Sequence, residues 1–140
     1  RVDRSTDRLS TRDLLDRLIA LLRDTSGGRP IVYEADDFIV PVREGSSLAL
    51  LVSELVSNAV KHGAGTITLS LRAGDGLARL EVTDEGAGFA EDFDPQQAAN
   101  IGLGLTESVG RYDLGGTLVF DNKPSGGGRV QVVFPMPALD

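Results

Sequence analysis

Apolar residues recur along this 140-residue chain in two rhythms, one helical and one alternating. Leu14, Leu15, Leu18, Leu21 and Leu22 fall at helical spacing and predict a helix over residues 11–24. Ser10 or Thr11 can cap it, and Ser26-Gly27-Gly28 ends it. Leu48, Leu51, Val52, Leu55, Val56 and Ala59 mark the strongest helix, residues 46–62, which Gly63 stops. Residues 102–114 read as a third helix closed by Gly115-Gly116. Between the helices the rhythm shortens. Residues 30–35 and 38–42 read as short strands on either side of Asp36-Asp37. Ile67, Leu69 and Leu71 alternate through a strand at 66–72, and Gly74-Asp75-Gly76 turns it into a partner at 77–83. A last hairpin, 117–121 with 129–134, closes around residues 124–128. Residues 84–100 carry Gly86, Gly88 and Pro95 without a clear period and read as a long loop. The order predicts an α/β two-layer sandwich, a mixed β-sheet with three main helices packed on one face. Residues 1–10 are polar and unpatterned, the expected linker or end of a preceding element, and 11–140 form one domain.

Composition narrows the field. Apolar residues at 41% and charged residues at 25% fit an ordinary globular domain. The absence of Cys excludes disulfides and thiolate chemistry, and a single histidine, His62, excludes a His-rich zinc site. A net charge of −7 with no Lys/Arg cluster argues against a nucleic-acid partner. No apolar run has the length needed to cross a membrane, so no direct membrane contact is expected. The chain begins on polar residues (Arg1, Asp3, Arg4, Ser5) without Met, as expected of a piece from something longer. Its 17 glycines fall in clusters, which asks for a local backbone reason, since glycine weakens helices and strands unless its freedom is needed.

Three constellations carry candidate chemistry. Glu54 and Asn58 lie one helical turn apart, and Lys61 and His62 continue that edge beside the apolar stripe. The Asn carbonyl is a hard oxygen suited to Mg²⁺, Glu54 can orient a water or accept a proton, and Lys61 can neutralise phosphate charge. Taken alone, the same row serves equally as a solvated helix flank. Asp84-Glu85-Gly86-Ala87-Gly88-Phe89 follows a strand end, where a carboxylate can accept a hydrogen bond from an exocyclic amine such as adenine N6. Alone, it is also an ordinary turn. Gly102-Leu103-Gly104-Leu105 opens a helix, and free N–H groups there can hold phosphate; alone, it is a glycine-rich turn. No G-x-x-x-x-G-K-[ST] or G-x-G-x-x-G pattern is present, which excludes a P-loop and the usual dinucleotide fingerprint.

In order and spacing the three together resemble the GHKL ATPase superfamily, which includes histidine kinases, the gyrase and Hsp90 ATPase domains and anti-sigma-factor kinases. Its N box resembles residues 54–62, its first glycine box Asp84-x-Gly86-x-Gly88, and its second Gly102-Leu103-Gly104-Leu105. The resemblance spans residues 14–135 and implies the Bergerat fold with ATP and Mg²⁺ as cofactors. It implies Asn58 as the Mg²⁺ ligand and Glu54 as the catalytic acid/base, with Lys61 and His62 near the phosphates. Asp84 would read the adenine amine with Gly86 and Gly88 beneath the ring, and Gly102, Leu103, Gly104 and Leu105 would close on the triphosphate. The ATP lid would be residues 89–100, short, acidic (Glu91, Asp92, Asp94), free of Lys and Arg, and without the aromatic F box of many histidine kinases. Before the last strand stands Gly128-Arg129, where the family often has Gly-Thr.

Three branches remain. The run Asp113-Leu114-Gly115-Gly116-Thr117-Leu118, the triple glycine 126–128 and a strand ending Phe134-Pro135 resemble a bacterial sensor histidine kinase. Such a kinase works in the cytoplasm. It passes phosphate to a His on a separate dimerisation domain and, through it, to a response regulator. An anti-sigma-factor serine kinase is the alternative, and a non-enzymatic nucleotide sensor the third. On the first reading His62 belongs to the N box, and the phosphoacceptor His lies on an upstream helix.

Overall fold

The computed structural model describes residues 7–94 and 103–139. The chain runs β1 (Arg8–Ser10), α1 (Thr11–Asp24), β2 (Ile31–Ala35), β3 (Ile39–Pro41), α2 (Val42–His62), β4 (Ile67–Gly74) and β5 (Leu77–Thr83). It continues through α3 (Leu103–Ser108), a π-helical turn (Val109–Asp113), β6 (Thr117–Asn122) and β7 (Gly128–Pro135). Five strands form one sheet in the order β2-β4-β5-β7-β6, parallel between β2 and β4 and antiparallel elsewhere. The expected two-layer sandwich on a mixed sheet is therefore the observed architecture.

The alternation read along the strands decides which face is covered. Ile67, Leu69 and Leu71 of β4 are fully buried, as are Ala78 and Leu80 of β5 and Val132 of β7. They meet Leu15 and Ile19 of α1 and Leu48, Leu51, Val52 and Leu55 of α2 in one core. The other sheet face keeps its polar residues paired: Arg129 donates to Asp121 at 2.9 Å through both Nε and Nη2, and Gln131 donates to Glu81 at 3.3 Å. Asp75 (φ 54°) and Gly76 (φ 76°) form the tight β4–β5 turn, where the backbone must be left-handed at both central residues.

Three local features differ from expectation. Residues 8–10 are not linker: β1 pairs antiparallel with β3, Leu9 opposite Val40, in a separate two-stranded ribbon. Helix α2 starts at Val42 rather than Ser46, with Pro41 at the cap position and no side-chain cap bond. Gly45 hides this start because glycine is a poor helix former. Its bare Cα lets Leu9 of the ribbon pack close, since a Cβ would stand 2.5 Å from Leu9 Cδ1. The third helix changes pitch at Val109, and the Leu114 N–H reaches back to the Val109 carbonyl at 3.0 Å. Of the two caps considered for α1, Ser10 serves, accepting from the Asp13 N–H at 3.2 Å, while the Thr11 hydroxyl donates to the Asp36 carbonyl at 2.9 Å.

Candidate functional site

The C-terminal half of α2 is fixed from below by Leu55 and Ala59 and from its end by Arg29. The Arg29 guanidinium donates to the carbonyls of Val60 (3.0 Å), Ala59 (3.3 Å) and Gly65 (2.8 Å). A cation on the last carbonyls suits the negative end of the helix dipole. The same contacts hold the loop at 63–66 against the end of β5. There the Glu85 N–H donates to the Ala64 carbonyl at 2.8 Å, and the Glu85 carboxylate accepts from the Thr66 N–H at 2.6 Å.

Asp84 sits in the middle of this knot. Its N–H donates to the Gly128 carbonyl at 3.1 Å, and its Oδ1 accepts from the Gly86 N–H at 2.7 Å. Four glycines make room for it. A Cβ on Gly63 would lie 2.5 Å from the Asp84 Cγ; on Gly86, 3.0 Å from Oδ1; on Gly128, 3.2 Å from Oδ2. On Gly127, which has φ 95°, it would overlap the Asp84 carbonyl. Four of the glycines noted in the sequence thus share a reason, the close approach of Asp84.

Above Asp84 lies a cavity of about 230 Å³. Leu55, Ala59, Val82 and Val130 make its apolar base; Asn58, His62 and Asp84 are its polar groups; Phe89, Ala90 and Phe93 wall it. Shape and chemistry suit a flat heteroaromatic ring with an exocyclic donor: apolar faces, and one carboxylate with an oxygen not engaged by Gly86. Asn58 lines the same cavity, and its buried Nδ2 lacks a hydrogen-bond partner. A buried amide left untied on the protein side is the kind of group a ligand completes.

The structure brings together only part of the residues singled out in the sequence. Asn58, His62, Asp84 and Gly88 line the cavity. Glu54 is half-buried one turn before Asn58 and does not line it, and exposed Lys61 lines a second hollow with Leu22, Thr25, Val56, Ser57 and Val60 instead. Helical geometry explains the split. From Asn58, His62 lies about 40° round the helix toward Ala59, whereas Lys61 lies about 60° the other way. Gly86 supports Asp84 from beneath rather than lining the cavity. Gly88 has φ 81°, and its missing Cβ leaves room for the Asn122 side chain. Leu103 begins α3; Gly104 and Leu105 are exposed and away from the cavity wall, and Gly102 lies outside the described residues, as does the lid segment 95–100.

Two features escaped the sequence reading. Phe89 and Phe93 give the lid root an aromatic pair after all, with ring centroids 4.6 Å apart, and Phe120 of β6 packs edge-on to Phe89 at 5.8 Å. Asn122 brackets the Phe89 backbone, accepting from its N–H at 2.7 Å and donating to its carbonyl at 2.9 Å. An aromatic spacing of four, Phe89 to Phe93, was the available signal for the first. A lone Asn at a strand end gave none for the second.

Fold and site together define an ATPase domain of the histidine-kinase type. The chain belongs to the family described as Histidine kinase-, DNA gyrase B-, and HSP90-like ATPase, whose model matches residues 44–138. Among curated relatives, the sensor histidine kinase component HK1 of Mycobacterium tuberculosis is 24% identical over 132 residues, covering 84% of this chain and 78% of that protein. The sensor protein VraS of Staphylococcus aureus is 31% identical over 111 residues, covering 79% of this chain and 31% of that protein. Among solved structures, the histidine kinase domain of the Erythrobacter litoralis EL346 blue-light activated histidine kinase superposes with a TM-score of 0.83 at 26% identity, covering 97% of this chain and 66% of that one. The ATP binding domain of PrrB from Mycobacterium tuberculosis gives 0.79 at 27% identity, covering 94% and 97%. The chain spans about a third of the length of several of the curated kinases it matches.

Proposed function

We propose that this chain binds Mg²⁺-ATP and presents its γ-phosphoryl group to a histidine on a separate dimerisation domain of a sensor histidine kinase. The observation that carries the reading is one cavity lined by both the glycine-seated Asp84 carboxylate and the Asn58 side chain, whose buried Nδ2 has no partner. Asp84 accepts from the adenine amine through the oxygen that Gly86 leaves free. Asn58 carries a carbonyl oxygen beside that Nδ2, and this hard oxygen would serve as one ligand for Mg²⁺, with phosphates and water supplying the others. When bound, Mg²⁺ neutralises charge on the phosphate oxygens. His62, on the same face, stands where the ribose and phosphates leave the cavity. Glu54, off the cavity wall but one turn from Asn58, orients or accepts a proton at the acceptor side.

His62 is exposed on a helix whose end is tied by Arg29, so it cannot swing in line with the γ-phosphorus without unwinding α2. The acceptor therefore comes from outside, and the sensor kinases among the relatives point to a histidine, with a response regulator downstream. By its likeness to sensor kinases the domain acts in the cytoplasm; among the described residues no helix is long and apolar enough to cross a membrane.

Incubating the chain with γ-labelled ATP and Mg²⁺ tests this. The chain alone stays unlabelled, and adding the His-bearing dimerisation segment of the full protein yields acid-labile phosphohistidine on that segment. Glu54→Gln keeps ATP binding and slows transfer. Label on His62, or on a serine of an added anti-sigma antagonist, would overturn the assignment.

A further inference from the structure

One polar side chain ties the cavity's aromatic wall to the sheet. Phe89 and Phe93 leave the sheet after Gly88; Phe89 packs against the core, and both meet β6, an edge strand. That strand holds them twice. Phe120 packs against both rings, at centroid distances of 5.8 and 5.9 Å. Two residues on, Asn122 takes both backbone hydrogen-bonding groups of Phe89, as a neighbouring strand would. The arrangement requires Gly88, because a Cβ there would run into Asn122 Oδ1. Asn122 also pairs in register with Gly128, the residue whose carbonyl accepts from Asp84. One side chain thus ties the wall of the cavity to its base.

We infer that Asn122 is a positioning residue for nucleotide. It does not touch the ligand but holds Phe89 and Phe93 where they cover the base seated on Asp84. The inference rests on the nucleotide reading of the cavity. Covering a bound base slows its escape more than its arrival, so Asn122 governs the dissociation rate. Discrimination between adenine and guanine belongs to Asp84 and is independent of Asn122.

The test uses ADP, GDP and three proteins: wild type, Asn122→Ala and Asn122→Asp. Amide exchange by NMR in the nucleotide-free state reads the clamp directly. In Asn122→Ala the Phe89 amide loses protection while core amides such as Leu69 and Leu80 keep theirs; Asn122→Asp, which retains the acceptor, restores it. Two neutral hydrogen bonds lost at a partly exposed site correspond to ADP dissociating faster by on the order of tenfold in Asn122→Ala. The association rate and the ADP-over-GDP preference stay as in wild type. Unchanged Phe89 protection or unchanged ADP dissociation in Asn122→Ala overturns the inference, and so does a loss of adenine preference. Failure of wild type to bind ADP at all would instead remove the nucleotide reading itself, an outcome distinct from these.

Discussion

The base and the wall of the cavity are built on opposite principles. At the base, Asp84 is enclosed by four glycines and by hydrogen bonds to Gly86 and Gly128, while Glu85 ties to Ala64 and Thr66 alongside. Each contact is backed by another, and a methyl on Gly63, Gly86 or Gly127 would meet an atom closer than 3.0 Å. At the wall, Phe89 and Phe93 are half-buried; Phe89 touches the edge of the core, and one aromatic neighbour and one Asn side chain supply the remaining ties. A site that recognises a ring by a fixed carboxylate needs the first kind of construction. One that must admit and release the ring needs the second, because segments that open are drawn from the weakly held parts of a fold.

If that contrast is right, the largest losses come from adding bulk at the base. Gly126 and Gly127 make a clean pair, since both have positive φ (97° and 95°), yet a Cβ on Gly126 meets nothing within 4 Å and one on Gly127 overlaps the Asp84 carbonyl. Gly126→Ala carries backbone strain alone, about 1–3 kcal/mol. Gly127→Ala carries the same strain plus a collision with backbone, and should abolish ATP binding and lower the denaturation midpoint well beyond Gly126→Ala. Equal midpoints and equal affinities in the two variants would mean that the base is not rigid.

Next comes Asp84→Asn, which changes chemistry without adding volume. The amide oxygen can keep the Gly86 N–H, leaving the NH₂ to face an adenine amine, donor against donor. Loss of a charge-assisted hydrogen bond predicts about ten- to hundred-fold weaker ATP binding, at roughly 1.5–3 kcal/mol. GTP, with a carbonyl at that ring position, should bind wild type poorly and gain on Asn. Calorimetry with both nucleotides decides it; equal wild-type affinities would refute an adenine-reading Asp84.

The base was the more legible of the two in the sequence, and the reason is physical. Strand periodicity and helix stripes fall out of burial, so the core positions of β4, β5 and α2 read directly, and clustered glycines signal that backbone or carboxylate must come close. Which glycine serves which contact does not follow from spacing, because it depends on three loops meeting. Of Gly86 and Gly88, the pair expected beneath a ring, Gly88 lines the cavity and also makes room for Asn122, while Gly86 makes room for Asp84 and the Ala64 backbone. Lys61 was grouped with His62 as the next residue along, whereas one residue is about 100° on a helix. The ribbon strand β1 and the pitch change at Val109 have three to five residues each, too few to show a period. The wall was nearly invisible because a side chain-to-backbone clamp between residues 33 apart leaves no local pattern.

Phe93→Ala probes the wall at intermediate strength. Its contacts with Phe89 and Phe120 are worth roughly 0.5–1.5 kcal/mol per aromatic pair where buried, and less here where the ring is half exposed. ATP affinity should fall by about three- to ten-fold, with adenine still preferred over guanine. A loss as large as that of Asp84→Asn, or a change in base preference, would show that wall and base are not separable.

The smallest effect is a pH dependence of the strand that carries the wall's anchors. Asp121 lies between Phe120 and Asn122 on β6 but faces the open side of the sheet, where Arg129 holds it. The hydrogen bond from Arg129 keeps the Asp121 carboxyl below its ordinary value of 3.8; burial opposes this, and the Arg129 charge adds to the lowering. A carboxyl depressed in the folded state stabilises the fold above its ordinary value, and that contribution is lost as pH falls through the depressed one. The window is therefore below about pH 4. Asp121 and Arg129 side chains are 39% and 26% exposed, so solvent and salt screen the pair and its contribution at neutral pH is small. Asp121→Asn should unfold in urea almost as wild type does at pH 7, and should lose less stability than wild type between pH 4 and pH 3. High salt should narrow the difference. Within that window the Phe89 amide should lose more exchange protection in wild type than in Asp121→Asn, since acid breaks the Asp121–Arg129 pair on the edge strand that holds the wall. Parallel acid curves for the two proteins, or equal loss at Phe89 in both, would break the link between β6 and the wall.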